Sequence, residues 1–468
     1  MADLDGLRKR YEGLAREVLR VAHQGKKIIV VTHIDADGLT SGAEVFSALA
    51  RKGANVTLRT LPDLEPKDIE SLRGENFDYY IFTDLGATLV RELEEQLDGR
   101  FLLIDHHQIA ESDLDKPEVV NSWQYGFDGG KEASSSSMAY FFACAFDPDC
   151  RDLSYLAVVG AIADRQDSGP GRSLVGLNQI AKEEAQSAGL VSVAKDLIFT
   201  GRETRPIHEA IALTSSPFLP GLSGSKDAVL AALLQAGISI REGGRWRTLS
   251  ELGADEKMKL TELVVGLISP SGKATETLVS LIGEVYTLEF EDSFTPLRDA
   301  REFATLLNAC GRMGEAGVGL AVCLGDRGSA LASAMQVLAS YRLSLNKALE
   351  GLLAEKGRIE EHGKVVLIRA EGLVDEKLLG PVASILTSSP GFKEKVVIAS
   401  TNSGEAELKI SGRVGDSYHD PVNLGLVMRE SAEAVRGVGG GHSMAAGAKI
   451  PKAEAESFSR LVLEKIAV

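Results

Sequence analysis

The chain is short of cysteine, of long apolar runs and of positive charge, and each shortage closes off a class of protein. Four cysteines in 468 residues, Cys144, Cys150, Cys310 and Cys323, lack C-x-x-C spacing. They fit neither a zinc ribbon nor a disulfide framework and read as small buried hydrophobes. No run of about 18 apolar residues occurs, so no membrane-spanning helix is expected. The acidic N-terminus has no secretory apolar segment, and a cytoplasmic protein is expected. The formal net charge of −16 gives no general attraction for nucleic acid, so a polyanion must be held by a local positive site. Two divalent cations in a carboxylate cluster would make such a site.

What is present belongs to a globular chain too long for one core, and two or three domains are expected. Leu4, Leu7, Tyr11, Leu14, Val18 and Val21 form one helical stripe that ends near Gly25. Ile28–Val31, Val56–Leu58, Tyr79–Thr83 and Phe101–Ile104 read as short apolar strands, with helical stretches such as Ser41–Arg51 between them. That alternation predicts an α/β domain with a mostly parallel sheet and helices on both faces.

In such sheets, functional residues gather beyond the carboxyl ends of the strands. His33-Ile34-Asp35-Ala36-Asp37-Gly38 follows the first strand, Asp84 follows Tyr79–Thr83, and Asp105-His106-His107 follows Phe101–Ile104. Asp164 ends the helix-like Tyr155–Ala163, with Asp167 as its competitor. Aspartate before glycine also forms turns, and a lone aspartate also caps helices. Two adjacent histidines at a strand end have few purely structural explanations. Jointly the clusters read as a two-metal phosphoesterase, with Asp35 and Asp37 meeting different cations and Asp84 bridging them. One imidazole can ligate while the other meets a phosphate oxygen, and Asp105 can orient a ring through its N–H. Oxygen ligands without thiolate favour Mn2+ or Mg2+ over zinc, and the imidazoles favour Mn2+. Ser134–Ser137 reads as a helix N-terminus.

Past residue 200 the ligand pattern stops. The boundaries read as a catalytic domain over 1–200, an inserted accessory domain over 201–295 with turns at Ser215–Pro217 and Ser269–Gly272, a helical connector over 296–345, and a smaller α/β domain over 346–468. The last carries Arg413 and Gly439-Gly440-Gly441-His442. Three glycines can surround an anion with backbone N–H groups, and Arg413 and His442 can bond phosphate. A tight turn is the alternative.

These motifs, in this order, resemble those of the DHH phosphoesterase superfamily with its associated C-terminal domain. The segment Asn308-Ala309-Cys310-Gly311-Arg312 is similar to RecJ-type exonucleases, and the length and organisation are similar to archaeal RecJ-like, GINS-associated nucleases. The resemblance implies a single-strand-specific exonuclease that threads DNA or RNA between two α/β domains, 5′→3′ on DNA, and that serves replication or repair with the GINS complex as partner. It implies two Mn2+ ions, or Mg2+, on Asp35, Asp37, Asp84, His106 and Asp164, with His33 and Asp105 as ligands or their neighbours. His107 would lie by the scissile phosphate. Arg413, Gly439, Gly440, Gly441 and His442 would hold substrate phosphates, and Asn308 and Arg312 would bind substrate. Arg298 and Arg301 would line the strand path or sit in ion pairs. RecJ proteins often carry aspartate where this chain has His33, as the small-molecule phosphatases do. A phosphoesterase of short oligonucleotides or nucleotides is therefore the rival reading, and a non-catalytic replisome scaffold the third.

Overall fold

The computed structural model describes residues 2–214, 219, 221–268, 281–389, 391–415, 417–441 and 443–466. Ser215–Pro217, Ser269–Gly272 and His442 lie outside them. The chain forms two compact units, Met1–Ala210 with Leu230–Leu338, and Ile211–Val229 with Ala339–Val468.

In chain order the elements to residue 197 are α1 (Leu4–His23), β1 (Lys27–His33), α2 (Ala36–Arg51), β2 (Asn55–Leu61), α3 (Pro66–Gly74), β3 (Tyr79–Thr83), α4 (Val90–Leu97), β4 (Phe101–Asp105), α5 (Glu111–Leu114), β5 (Val119–Asn121), α6 (Ser135–Phe146), α7 (Ser154–Ala163), α8 (Gly176–Ser187) and β6 (Val191–Leu197). The five strands β1 to β5 make a parallel sheet in the order β2-β1-β3-β4-β5. Every residue of β3 and β4 is buried, as expected of a parallel sheet covered on both faces. The chain leaves β1 toward β2 and returns to β3 on the other side. That reversal opens a crevice beyond the ends of β1 and β3, the usual ligand position in open α/β sheets.

The region that follows holds α9 (Ile207–Ala212), α10 (Lys226–Gln235), a hairpin of β7 (Arg241–Glu242) and β8 (Arg245–Trp246), α11 (Ala254–Ile268), β9 (Ile282–Leu288), α12 (Ala300–Arg312), α13 (Ala316–Cys323) and α14 (Ser329–Ala354). β9 pairs antiparallel with β6. The remaining elements are β10 (Ile359–His362), β11 (Val365–Arg369), α15 (Leu379–Thr387), β12 (Val396–Ser403), β13 (Glu407–Val414), α16 (Leu424–Ala434), β14 (Val438–Gly441), β15 (Ala445–Pro451) and α17 (Ala455–Ile466). They build a mixed sheet in the order β10-β11-β12-β13-β15-β14. Its core includes Leu367, Ile398, Ile410, Met428, Ile450 and Phe458. Among the described residues no helix is long and apolar enough to cross a membrane.

Three expectations are corrected. Cys144 and Cys150 are joined by a disulfide, because α6 ends at Phe146 and the 3-10 turn Pro148–Leu153 brings Cys150 back beside it. Only Cys310 and Cys323 are free and buried. α2 begins at Ala36, not Ser41, so Asp35 is its N-cap and Asp37 lies in its first turn. The triple glycine is an edge strand, not a loop. At Gly439 a Cβ would lie 2.6 Å from the Met428 carbonyl oxygen, so glycine is what lets β14 lie against α16.

α12 is capped by Asp299, which accepts the N–H groups of Arg301 and Glu302. It lies against the β1–α2 junction. Asn308 Oδ1 accepts the Ala36 N–H at 3.1 Å, and a Cβ on Gly311 would sit 1.9 Å from the Ile34 carbonyl oxygen. Glycine to alanine inside a helix ordinarily stabilises by about 1 kcal/mol. Here overpacking against rigid backbone reverses the sign, and Gly311→Ala should cost about 1–3 kcal/mol in urea unfolding.

Candidate metal centre

The β1–α2, β3–α4 and β4–α5 junctions and the end of α7 bring eight expected residues together. His33 Nδ1 lies 3.0 Å from Asp35 Oδ2 and 3.5 Å from Asp84 Oδ2. His106 Nε2 lies 3.4 Å from Asp84 Oδ1, 3.3 Å from Asp164 Oδ2 and 3.8 Å from Asp37 Oδ2. His107 Nδ1 lies 2.7 Å from Asp105 Oδ1 and 3.9 Å from Asp84 Oδ1. The donor atoms of His33, Asp35 and Asp84 form one compact set, those of Asp37, His106 and Asp164 a second, and those of Asp84, Asp105, His106 and His107 a third. Asp84 belongs to two of these sets and touches His106 of the other.

Local structure explains each position. Asp35 accepts the Gly38 N–H at 3.0 Å, and a Cβ on Gly38 would meet the His33 carbonyl oxygen at 2.5 Å. Asp37 takes two N–H groups from the first turn of α6, Ser135 at 2.7 Å and Ser136 at 3.0 Å. That helix start is capped by Ser134, whose hydroxyl accepts the Ser137 N–H, and its dipole favours the carboxylate. Gly160 on α7 leaves room for this contact, since a Cβ there would fall 2.5 Å from Asp37 Oδ1. Asp84 sits in the left-handed region at φ 63°, and α4 starts only at Val90, so it caps no helix. Asp105 Oδ1 accepts the N–H groups of His106 and His107 and the His107 Nδ1–H.

The donor set fits divalent cations. Both Asp84 oxygens and Asp105 Oδ2 are buried without a hydrogen-bond partner among the described residues, which is costly for a carboxylate unless a cation lies close. His107, Asp35, His33 and Asp164 remain partly exposed, so the cluster opens on one side. Residues able to hold cations are His33, Asp35 and Asp84 on one side, and Asp37, His106 and Asp164 on the other, with oxygen ligands in the majority as suits Mn2+ or Mg2+.

Mutual repulsion and attraction displace the proton affinities. Burial lifts Asp37 well above the carboxylate range, and the charges of Asp84 and Asp164 add to it. Burial, opposed by His106 and reinforced by Asp35 and Asp84, pushes Asp164 up to about 6. Burial would lower His33 and His106, but neighbouring carboxylates outweigh it and raise both well above the usual histidine value. His107 is raised in the same way, against burial, chiefly by Asp105. Burial would raise Asp35 and Asp105, yet His33 and His107 respectively hold them below their ordinary range.

The other expected residues are placed elsewhere or otherwise engaged. Asp167 is held by Arg172 at 2.8 Å and Arg301 at 2.7 Å, so it is an ion-pair residue and not part of the cluster. Arg298 pairs with Glu289 at 3.0 Å. Asn308 is engaged with Ala36, and Arg312 ends the same helix half-buried. Arg413 on β13 donates to Ser384 Oγ and to the Gly412 carbonyl. It shares a sheet with Gly439, Gly440 and Gly441 on β14, separated by β15. Sequence reading missed Trp123, whose indole N–H donates to the His106 carbonyl at 3.1 Å. It also missed Gly129, where a Cβ would lie 1.9 Å from that carbonyl oxygen. Neither carries a motif, and Asp128-Gly129-Gly130 reads in the sequence as an ordinary turn.

Comparison with known proteins agrees with this geometry. Residues 27–159 match the N-terminal domain of the DHH family, 199–282 the DHH-CID domain and 362–467 the DHHA1 domain. An uncharacterized protein of Methanocaldococcus jannaschii is 27% identical over all of this chain and 98% of its own length. The fold is similar to that of RecJ from Thermus thermophilus in complex with Mn2+, with a TM-score of 0.59 and 21% identity over 99% of this chain. The chain spans 55% of that RecJ, which has also been crystallised with Mg2+. It is similar too to CDC45 from Entamoeba histolytica, with a TM-score of 0.65 and 11% identity over 98% of this chain and 99% of that one.

Two outcomes follow for the metal-free protein. A carboxyl with a folded pKa above its unfolded one favours folding below the unfolded value, and that benefit is lost as pH rises through the folded value. Asp164 moves from 3.8 to about 6, so chelated protein should lose stability between pH about 4 and 6, measured by urea unfolding. At pH 7, Mn2+ should raise the melting temperature, and Asp84→Asn should remove most of that rise while leaving circular dichroism unchanged.

Proposed function

The chain is a DHH/DHHA1 phosphoesterase, and from that premise we propose that it is a metal-dependent exonuclease that removes nucleotides from single-stranded DNA, 5′→3′, and also acts on RNA. The observation that carries this reading is the pair of ligand sets joined at Asp84, with His107 beside them on the open side. Divalent cations bound there would supply a hydroxide nucleophile at neutral pH and neutralise the phosphate oxygens. Asp84 would touch both. The bond from Asp105 to His107 Nδ1 turns the other ring nitrogen away from the carboxylate, where it can give a proton to the leaving oxygen. The raised proton affinity of His107 keeps that proton available nearer neutral pH.

The likeness of the fold to RecJ supports the choice of a nucleic-acid strand. The resemblance of the motifs and their order to archaeal RecJ-like, GINS-associated nucleases supports a role in replication, with the GINS complex as the proposed partner. His33 between Asp35 and Asp84 favours a second reading, hydrolysis of oligonucleotides of a few residues or of nucleotides.

With Mn2+, the purified protein should release mononucleotides from the 5′ end of a labelled thirty-mer. Asp105→Ala and His106→Ala should abolish release, and His107→Ala should lower kcat by about 10²–10⁴. Full activity in the first two variants would refute the site. A strong preference for a dinucleotide over the thirty-mer would establish the second reading instead.

A further inference from the structure

Gln166 and Asn178 are both 1% exposed, and the sequence gives neither a motif. Asn178 Oδ1 accepts the Ser134 N–H at 3.0 Å and the Ser137 hydroxyl at 2.7 Å. Asn178 Nδ2 donates to Gln166 Oε1 at 2.6 Å. Gln166 Nε2 in turn donates to the carbonyls of Gly129 at 3.0 Å and Ala133 at 3.3 Å. The Gly129 oxygen has a second donor, His106 Nδ1 at 2.6 Å.

Each bond fixes the next. A carbonyl oxygen only accepts, so Nδ1 of His106 carries a hydrogen, and Nε2, which faces the carboxylates of Asp37, Asp84 and Asp164, is the nitrogen whose lone pair would meet a cation held among them. Both lone pairs of the Gly129 oxygen are then used. Turning over either amide would set donor against donor or oxygen against carbonyl, so both side chains are locked. At the far end, Asn178 grips Ser134 and Ser137, the start of α6, whose Ser135 and Ser136 N–H groups hold Asp37. One buried chain of hydrogen bonds thus runs from His106 to Asp37, two groups of the same ligand set.

We propose that Gln166 and Asn178 are positioning residues that fix the tautomer of His106 and the seat of Asp37 together, and so set the cation affinity of that set. The proposal rests on the reading that the set holds a divalent cation. Buried amides that served folding alone would affect stability without affecting cation binding, and this separates the two roles.

Binding of Mn2+ is measured from the electron paramagnetic resonance signal of the unbound ion, beside the melting temperature of the chelated protein. Gln166→Met keeps the volume and removes the amide, and Asn178→Ala removes the link to α6. Each should weaken Mn2+ binding about 10–100-fold, the usual effect of losing a group behind a metal ligand. The double variant should be no weaker than about the worse single one, because the two act in series. Exonuclease kcat should recover at high Mn2+. Val18→Ala in α1, a core change away from the cluster, should lower the melting temperature but leave Mn2+ affinity as in the parent. If Asn178→Ala does not fold, Gln166→Met decides alone. Loss of melting temperature with parental Mn2+ affinity in Gln166→Met would overturn the proposal. A parent protein that binds no Mn2+ would overturn the cation reading itself, and the proposal with it.

Discussion

The charge on Asp84 organises everything around it. Its two oxygens are buried and accept no hydrogen bond among the described residues, whereas Asp35 and Asp37 are each held by backbone N–H groups at helix starts. An ionised carboxylate in that position is unfavourable unless positive charge is close. The fold supplies imidazoles at 3.4 and 3.5 Å and leaves one side open. Helix starts, close glycine contacts and the ring orientations of His106 and His107 all keep other ligands at fixed places around this one group.

The internal cations are spent elsewhere. Arg172 and Arg301 hold Asp167, Arg202 and Lys257 hold Asp196, and Arg327 holds Glu291. In a chain of net charge −16, these five cations neutralise buried carboxylates and are not turned toward the cluster. Divalent cations held at the cluster would reverse the sign of that region, as expected of such sites.

Much of this architecture was legible in the residues. The strands stood out as short apolar runs, and three of the four, Ile28–Val31, Tyr79–Thr83 and Phe101–Ile104, led into a carboxylate or imidazole, so the cluster could be placed before any contact was known. The start of α2 was not legible, because Asp35-Ala36-Asp37-Gly38 suits a turn as well as a capped helix. β5 has three residues, too few to show a period. Asn308 meets Ala36 across 272 positions, and no local pattern reveals so distant a bond. The disulfide escaped for a related reason, since its spacing gains meaning only once α6 is known to stop at Phe146. Gln166 and Asn178 were silent because buried amides look like surface residues until their partners are seen.

The backbone of Asp84 adds a last consequence. A residue at φ 63° is held in a conformation that costs other side chains more than glycine. Replacing this aspartate by glycine would therefore ease the main chain and relieve charge crowding at one stroke. The main chain at this position would accept glycine at least as readily as aspartate, so what the site keeps there is the carboxylate and not the turn.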